Sequence, residues 1–470
     1  MSPIVQGGSP GEKKDTQAFQ QRKYLKSLDK DIDKMVNEKI PFISKTFCPY
    51  PWIHVMTQPS GGVSWCCVSR SSFKKDDGTY VQLQKGDKIE DVWNSNHMKK
   101  IRKQMLDGER VDGCQHCYDL EDMGFPAYRE NYIKDWLVHN EQKEEVLRRV
   151  EESRTNGYVV NAPPLYLDFR LGTMCNLKCR MCQPQNSSQI FKEYTEINAT
   201  DPIAGRFLKE NFTWGDFGVY EDWQDDPEFL RQVEEWLPYV TKLYFTGGEP
   251  TIIERVYWIM NKCVEMGIAK NIELVFNSNM TNVQGRFINL VEQFKNVLMC
   301  ISVDAHGKLN EYIRGASHWK QVDKNIRKYC ESKVVGRLLF SPVLQVYNVL
   351  NITDLLDYME SLEIEYNREI YLSLLICYYP VSLDFRILPD NVRVEAIKRL
   401  EAWMKTSTVL MKREESVQTL DALIKGLKER RHDDWKKELR TFKKFTKLLD
   451  KTRKESFKES IPDLYRLINE

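Results

Sequence analysis

Short apolar runs alternate with longer amphipathic stretches through the central part of the chain, from residue 163 to residue 390. A short apolar run favours a strand that is buried on both faces, whereas apolar residues three and four positions apart favour a helix. The strands predicted in this way lie at 165–170, 242–246, 272–276, 298–303, 339–346 and 371–376. Because strands and helices alternate, the pattern predicts an α/β fold of six βα units with a parallel sheet.

The pattern changes on both sides of this central region. Residues 1–45 are polar and predict a disordered start followed by a helix near Gln17–Asn37. A loop-rich, cysteine-bearing region is predicted at 46–131, and a charged helical connector at 132–162. Beyond the central region, residues 391–470 predict helices rich in Lys and Glu. The chain is therefore expected to have five segments.

Composition narrows the class of protein. The 470 residues suffice for two or three domains, and 41% apolar with 29% charged residues is typical of a globular chain. A formal net charge of +1 gives no overall field that would attract nucleic acid or a membrane surface. The chain has no apolar run of bilayer length, and its first residues lack the apolar core of a signal peptide. We therefore expect a cytoplasmic protein, in which twelve cysteines favour metal or redox chemistry over disulfides.

Three cysteines with C-x3-C-x2-C spacing directly follow the first predicted strand of the central region. They are Cys175, Cys179 and Cys182. Thiolates in one short loop can hold three corners of a cubane iron–sulfur cluster. Because such a cluster has four irons, three thiolates leave one iron open to bind a small molecule and pass it an electron. The alternative is three buried structural cysteines.

A second motif, Gly-Gly-Glu-Pro, follows the second predicted strand. Gly247 and Gly248 allow the backbone to approach a ligand closely, because neither residue has a Cβ. Glu249 offers a carboxylate to an ammonium group in a charge-assisted contact. The combination of this motif with the three cysteines is far more specific than either motif alone.

The two motifs together resemble those of the radical S-adenosylmethionine (radical SAM) enzymes. The resemblance implies a partial (β/α)6 barrel whose open iron chelates the methionyl group of S-adenosylmethionine (SAM). It also implies that one electron cleaves SAM to methionine and a 5′-deoxyadenosyl radical, which abstracts hydrogen from the substrate. The family's motif contacts the methionyl ammonium, a role that carries over to Gly247, Gly248 and Glu249.

Polar residues also follow the other predicted strands, and in barrels of parallel strands ligands bind at the carboxyl ends. Each of these residues alone is equally well explained as the polar start of a loop. The resemblance gives Met181 an adenine contact, Arg314 the SAM carboxylate, Asn348 the ribose, and the polar groups after strands three and four the ribose and carboxylate. The predicted SAM-binding residues are Gly247, Gly248, Glu249, Pro250, Ser278, Asn279, Ser302, Asp304, Arg314, Asn348 and Met181.

A second set of cysteines lies before the barrel. Its pattern, a first Cys, a Gly-x4-Cys and a later C-x2-C, resembles the SPASM and twitch domains, which hold auxiliary iron–sulfur clusters. The resemblance implies one cluster held by Cys48, Cys66, Cys114 and Cys117, with Cys67 competing for the place of Cys66. In most relatives this domain follows the barrel, whereas here it precedes it. The same four thiolates would suit a structural zinc ion equally well.

The predicted protein is therefore a radical SAM barrel enzyme with an N-terminal auxiliary cluster domain and a C-terminal helical extension. Its cofactors are a [4Fe–4S] cluster with SAM and a second, auxiliary [4Fe–4S] cluster. The expected substrate is a peptide whose side chain is oxidised or cross-linked, or a small molecule that is dehydrogenated, and the expected electron donor is a flavodoxin or ferredoxin. Two alternatives remain, a nucleic-acid-modifying enzyme and a non-catalytic cluster- or zinc-binding protein.

The nucleic-acid alternative is prompted by residues 421–460, which carry 14 Lys or Arg against 8 Asp or Glu. A basic helical face can bind phosphates, but acidic residues are interleaved with the basic ones here. The helical spacing of Phe442, Phe445, Leu448 and Leu449 favours packing against the barrel instead. Nucleic acid is thus an unlikely partner in this interpretation.

Overall fold

A computed structural model describes residues 46–69, 71–122, 127–212, 223–282, 285–429 and 432–470. The helix predicted within residues 1–45 lies outside the described residues. The chain divides into two compact units, which we call the N-terminal unit and the barrel unit. The N-terminal unit comprises residues up to Val55, Val63–Val81 and Ile89–Pro164, and the barrel unit comprises Met56–Gly62, Gln82–Lys88 and Leu165–Glu470.

The N-terminal unit is mainly helical. Its helices are Tyr50–Ile53, Ile89–Trp93, Asn96–Leu106, Gln115–Asp122, Tyr128–Ile133 and Lys143–Thr155, with a 3-10 turn at Asp112–Cys114 and a π-helical turn at Lys134–Val138. Two short strands, His54–Thr57 and Val63–Ser64, begin in it. Arg102 is fully buried and donates hydrogen bonds to the carbonyl oxygens of Pro51, Trp93 and Tyr158 at 2.8–2.9 Å. One guanidinium thus ties together three segments that are distant in sequence.

The barrel unit contains six parallel strands, as the sequence pattern predicts. They are β1 (Tyr166–Arg170), β2 (Lys242–Thr246), β3 (Glu273–Ser278), β4 (Asn296–Ile301), β5 (Val335–Phe340) and β6 (Ile370–Leu372). Neighbours in the sheet follow chain order from β1 to β6, and each pair is parallel. Phe169, Phe245 and Phe276 lie opposite one another in register and are completely buried. The α/β class is therefore confirmed.

The helices of the barrel unit connect the strands and continue beyond the last one. Between strands lie Ser188–Thr200, Pro202–Asn211, Pro227–Trp236, Glu254–Glu265, Gly285–Val291, Gly307–Ile313, Trp319–Glu331 and Ile352–Tyr366. After β6 lie Asp390–Thr406, Glu414–Glu429, Trp435–Arg453, Phe457–Ser460 and Pro462–Leu467. Two short strand pairs complete the unit, Lys178–Cys179 with Arg314–Gly315 and Val343–Leu344 with Leu375–Ile376. None of the described helices is long and apolar enough to cross a membrane.

The fifth strand lies earlier than predicted. The sequence pattern places it at 339–346, but β5 spans Val335–Phe340. The exposed residues Gly336 and Arg337 interrupt its apolar pattern. Gly336 also falls at a register shift against β4, where its missing Cβ would lie 2.1 Å from Asn296 Oδ1. The bulge, with a glycine at its crowded position, interrupts the apolar pattern, so the sequence pattern did not predict the start of this strand.

The helix Trp435–Arg453, called here the C-terminal helix, packs on the barrel unit through its apolar side. Phe442, Phe445 and Leu449 are buried, and the ring of Phe445 stacks on that of Phe212 with centroids 3.9 Å apart. The packing predicted from helical spacing is confirmed for these three residues, whereas Leu448 is only half-buried.

Candidate active site

The three cysteines of the C-x3-C-x2-C motif line one cavity in the barrel unit, with a volume of about 300 Å³. They lie in the loop that joins β1 to the helix Ser188–Thr200, which we call the cysteine loop (171–187). The loop turns away from β1 at Gly172, whose φ of +92° favours glycine. Within the loop, Lys178–Cys179 pairs in antiparallel fashion with Arg314–Gly315. This pairing fixes the middle cysteine against a second segment of the barrel unit.

The environment of these thiols disfavours charge in the absence of a bound cation. Burial, together with the neighbouring Cys179, raises the pKa of Cys175 to about 12. Burial likewise raises the pKa of Cys179 and of Cys182, although Arg314, whose Nη1 donates to Cys179 Sγ at 3.9 Å, opposes the shift at Cys179. Three thiols around one cavity, one buried and two half-buried, fit a metal cluster, because the cluster's positive charge would stabilise the thiolates.

The Gly-Gly-Glu-Pro motif packs directly against the cysteine loop. A Cβ on Gly248 would lie 1.9 Å from the carbonyl oxygen of Met174, the residue before the first cysteine of the motif. The backbone N–H of Glu249 donates to that same carbonyl oxygen at 2.8 Å. Gly247 has a φ of +105°. The glycines are therefore needed for the approach of two protein segments, as well as for any approach to a ligand.

The carboxylate of Glu249 lines the cavity in a fixed orientation. Its Oε1 accepts hydrogen bonds from the N–H and hydroxyl of Thr251 and from the hydroxyl of Ser278, at 3.2, 2.5 and 2.9 Å. Its Oε2 accepts from the backbone N–H of Asn279 at 2.7 Å. Burial raises the pKa of Glu249, and these four hydrogen bonds oppose that increase. They hold a buried anionic group ready for a cationic ligand.

Of the residues predicted to bind SAM, the structure brings seven to the cavity wall. They are Gly247, Gly248, Glu249, Asn279, Ser302, Arg314 and Met181. The other four, Pro250, Ser278, Asp304 and Asn348, do not line it.

Three of these four residues, Ser278, Asp304 and Asn348, support neighbouring residues instead of lining the cavity. Ser278 orients Glu249 as described above. Asp304 is fully buried and forms an ion pair with Arg314 at 2.8 Å. Asn348 is also fully buried, and its amide group donates to the carbonyl oxygens of Asp304 and Val343. The side chain of Asn348 is thus engaged within the protein, and its predicted ribose contact stays a prediction.

The cavity has four further lining residues for which no role was predicted. Thr246 and Asn277 end β2 and β3, while Gln183 and Asn186 belong to the cysteine loop after the last cysteine. For Thr246 and Asn277, position near the carboxyl end of a strand was a signal in the sequence for a place in the cavity wall. Nothing in the spacing of the cysteine loop distinguished Gln183 and Asn186 from ordinary loop residues.

A second pocket, in the N-terminal unit, brings together the four cysteines predicted there. Cys48, Cys66, Cys114 and Cys117 all line it. Cys67 does not, and its Sγ lies 3.3 Å from the hydroxyl of Tyr132 in a hydrogen bond. Of the two adjacent cysteines, the geometry therefore favours Cys66 as the ligand.

This pocket is assembled by close packing. A Cβ on Gly113, next to Cys114, would lie 2.2 Å from the ring of Trp65, next to Cys66. Burial raises the pKa of Cys48 and raises that of Cys114 to about 11. The donor set of four sulfurs, three of them from buried cysteines, fits an iron–sulfur cluster with a complete set of protein ligands. Among the described residues, no group of three or more His, Cys, Asp or Glu side chains is placed to hold a single metal ion.

Comparison with protein-family models agrees with both sites. The model of the radical SAM superfamily matches residues 169–359, and the SPASM iron–sulfur cluster-binding domain matches residues 48–118. Residues 169–359 therefore form a radical SAM domain, and residues 48–118 form a SPASM domain. The SPASM domain lies N-terminal to the radical SAM domain, as the order of the cysteine motifs predicted. The two domains imply a [4Fe–4S] cluster with SAM and an auxiliary iron–sulfur cluster.

Among solved structures, anSMEcpe with bound AdoMet is similar to this chain at 16% identity and a TM-score of 0.33. The match covers 52% of the present chain and 61% of the anSMEcpe chain. SuiB of Streptococcus suis bound to S-adenosylmethionine matches over 64% and 62%, at 15% identity and a TM-score of 0.34. The chain thus spans about three fifths of the length of these structures. Likenesses of this size carry no information on its substrate. Comparison with curated protein sequences finds no match.

The contact between the glycine motif and the cysteine loop generates a first prediction. Gly248→Ala forces a methyl group into the carbonyl of Met174, and overpacking of this kind costs about 1–3 kcal/mol or more. We expect the displaced loop to lose its cluster, so that iron after anaerobic reconstitution falls from about eight to about four atoms per chain. Gly285→Ala is the matched control, because its Cβ would meet no neighbouring atom. Full iron content in Gly248→Ala would show that the loop tolerates the displacement.

Proposed function

We propose that this protein is a radical SAM enzyme that abstracts a hydrogen atom from a peptide substrate, with an auxiliary cluster that accepts an electron. The observation that carries the proposal is the convergence of three cysteine thiols and one oriented carboxylate, Glu249, on a single cavity. When bound there, the cluster and SAM together supply the 5′-deoxyadenosyl radical.

The residues of the cavity suit the separate parts of SAM. Glu249, held by four hydrogen bonds, is the proposed acceptor for the methionyl ammonium. Arg314 is fixed by its ion pair with Asp304 and supplies positive charge for the methionyl carboxylate. Asn279 and Ser302 are the proposed hydrogen-bonding partners of the ribose and carboxylate, and Met181 provides an apolar, polarisable contact for adenine. Each role is a proposal that rests on position and chemistry.

The concave side of the sheet favours a polar substrate. Along β2, Leu243 and Phe245 are completely buried, whereas Lys242, Tyr244 and Thr246 alternate with them and are partly exposed. Because side chains of a strand alternate between its two faces, the second set shares one face. That face ends at Thr246, which lines the cavity. A substrate entering along this face would meet hydroxyl and charged groups next to the bound cofactor.

A peptide fits the region near the last strand better than a small polyol does. Tyr378 and Tyr379 follow the strand pair at Leu375–Ile376 and are 57% and 46% exposed. Neither tyrosine lines the cavity, but exposed aromatic side chains outside it supply contact area that favours an extended partner over a small one. By contrast, Cys377 between them and the strand is buried, and its Sγ donates to the carbonyl of Tyr379, so it is not a candidate hydrogen donor.

The auxiliary site favours electron transfer over substrate binding. Its pocket is lined by four cysteines, enough to ligate every corner of a [4Fe–4S] cluster. A cluster with no open iron cannot bind a substrate atom directly. The proposed role is therefore to accept the electron left after hydrogen abstraction and bond formation, with a flavodoxin or ferredoxin supplying the reducing electron for SAM cleavage.

One observation favours a second candidate, modification of a nucleic acid. On the C-terminal helix the outward residues are almost all basic, namely Lys436, Lys437, Arg440, Lys444, Lys447 and Lys451. Asp450, by contrast, points inward and pairs with Arg180. The acidic residues therefore reduce the positive charge of the exposed face of this helix less than their positions in the sequence suggest. A regular basic face of this kind is one that phosphates can bind.

The central prediction concerns SAM cleavage. Replacing Cys175, Cys179 and Cys182 together with Ala should abolish 5′-deoxyadenosine formation by reduced, reconstituted protein, because the cluster that delivers the electron is lost. About four irons per chain should remain, held by the N-terminal unit. Chromatographic analysis of the products and iron determination make the two measurements.

The matched control for this experiment is Cys263→Ala, which removes a buried cysteine outside both pockets. It should leave 5′-deoxyadenosine formation and iron content intact. Product formation at the wild-type rate by the triple variant would refute the proposed function. One equivalent of zinc in the triple variant, with no iron, would establish the structural-zinc alternative for the second site.

A separate prediction distinguishes the two candidate substrates. Binding of total tRNA in a filter assay should be no tighter than about micromolar at physiological salt, which is the range of non-specific binding. The triple variant Arg440→Glu, Lys447→Glu, Lys451→Glu reverses the charge of exposed residues only and should change this little. Tight, salt-sensitive binding by the wild type that the variant abolishes would promote nucleic-acid modification to first place.

A further inference from the structure

A buried arginine lies inside the cysteine loop itself. Arg180 follows Cys179 directly and precedes Cys182 by two positions, yet its side chain is completely shielded from solvent. Buried arginines are rare unless their charge is compensated. The compensation here comes from the far end of the chain, some 270 residues later.

Two carboxylates near the end of the C-terminal helix hold the guanidinium of Arg180. Its Nη2 donates to Asp450 Oδ1 at 2.7 Å and also to an oxygen of Glu455. Its Nε donates to the carbonyl oxygen of Tyr312 at 2.9 Å, and its plane lies 3.7 Å from the centroid of the Tyr312 ring. The side chain is thus fixed by charge, by hydrogen bonds and by stacking at once.

The acidic partner Asp450 is itself fixed. Its Oδ1 also accepts from the hydroxyl of Tyr312 at 2.8 Å, and its Oδ2 accepts from the backbone N–H of Phe457 at 2.7 Å. The C-terminal helix is in turn anchored by the stacking of Phe445 on Phe212. Arg180 and Asp450 are therefore both held in place by further contacts within the protein.

A second ion pair joins the same helix to the other end of the cysteine loop. Arg453 donates to both carboxylate oxygens of Glu193, at 3.0 and 2.7 Å, and both side chains are nearly inaccessible. Glu193 belongs to the helix Ser188–Thr200, with which the cysteine loop ends. The last turn of the C-terminal helix thus contacts the loop inside its cysteine motif and the helix that follows the loop.

We infer that Arg180 is a positioning residue, through which the C-terminal helix holds the three cysteines of the barrel unit in the arrangement that ligates a cluster. The inference rests on the proposed function. Loops have many accessible conformations, and three sulfurs must reach one cluster together, so a fixed backbone at the middle of the motif favours ligation. Arg180 touches no reacting atom in this account and acts through Cys179 and Cys182.

The test compares four variants of the full-length chain. Arg180→Met keeps most of the side-chain volume but removes the cation that both carboxylates contact. The double variant Asp450→Asn, Glu455→Gln keeps shape and acceptor oxygens but removes the negative charge. Arg180→Lys keeps the positive charge without the planar fork. Arg440→Met is the matched control, since Arg440 is an exposed arginine of the same helix.

The first readout is amide hydrogen exchange of the chain before cluster reconstitution, followed by mass spectrometry. In Arg180→Met the segment 175–187 should exchange at least about tenfold faster, while β3 and β4 keep their wild-type protection. Arg180→Lys should restore part of the protection, and Arg440→Met should match the wild type. Wild-type protection of this segment in both Arg180→Met and the double variant would overturn the inference.

If Arg180→Met loses protection throughout the barrel unit, its result does not separate a local effect from general unfolding. The double variant then tests the inference, because Asn and Gln keep the shape of the side chains that they replace. Faster exchange confined to 175–187 there supports the inference, and wild-type protection there overturns it.

The second readout is the electron paramagnetic resonance spectrum of the reconstituted, reduced protein, with and without SAM. The wild type should show a signal that changes when SAM is added, and Arg180→Met should lose that change together with about half of its iron. A wild type without any SAM-responsive signal would contradict the proposed function, whereas the exchange experiment, which uses no cluster, would still decide the role of Arg180.

Discussion

Thiolates repel one another, and a buried pocket gives them no water to relieve the repulsion. Both cysteine pockets of this protein face that constraint. Burial raises the pKa of Cys175 to about 12 and that of Cys114 to about 11, so without a cluster the thiols favour their neutral form. A positively charged group at the centre of each pocket would stabilise the thiolates, so the protein must hold its ligands in place for that group. Much of the structure around the two sites serves this requirement.

The two units meet the requirement with the same devices. In each, a glycine without a Cβ lets a second segment press against the cysteine-bearing one: Gly248 against Met174 in the barrel unit, and Gly113 against Trp65 in the N-terminal unit. In each, a buried arginine then joins distant segments, Arg180 to the C-terminal helix and Arg102 to three carbonyl oxygens. In both units, positive charge inside the protein thereby cross-links segments that are distant in sequence.

Local patterns in the sequence were sufficient for much of this picture. The spacing of Cys175, Cys179 and Cys182 and the position of Gly-Gly-Glu-Pro after a strand identified the cavity, because both motifs are continuous in sequence. The six βα units followed from the alternation of apolar runs and amphipathic stretches. The shift of β5 escaped prediction because a bulge at Gly336 breaks the apolar pattern without ending the pairing.

Contacts between distant residues could not be predicted. Asp304 and Asn348 have the right residue types and positions for a ligand, yet the fold uses them to hold Arg314 and a neighbouring loop. Asp450 points inward and pairs with Arg180 in another segment of the chain, which leaves the outer face of its helix basic. A count of charges along the sequence does not distinguish the exposed face of a helix from its buried face.

The account depends most directly on one claim, that the cavity lined by Cys175, Cys179, Cys182 and Glu249 binds SAM at an open iron. Electron–nuclear double resonance of the reduced, reconstituted protein with SAM carrying a ¹⁵N-labelled methionyl amino group tests this claim. The account predicts a ¹⁵N hyperfine coupling to the cluster that disappears in the triple cysteine variant. A reduced cluster in the barrel unit that shows no coupling to the labelled nitrogen would contradict it.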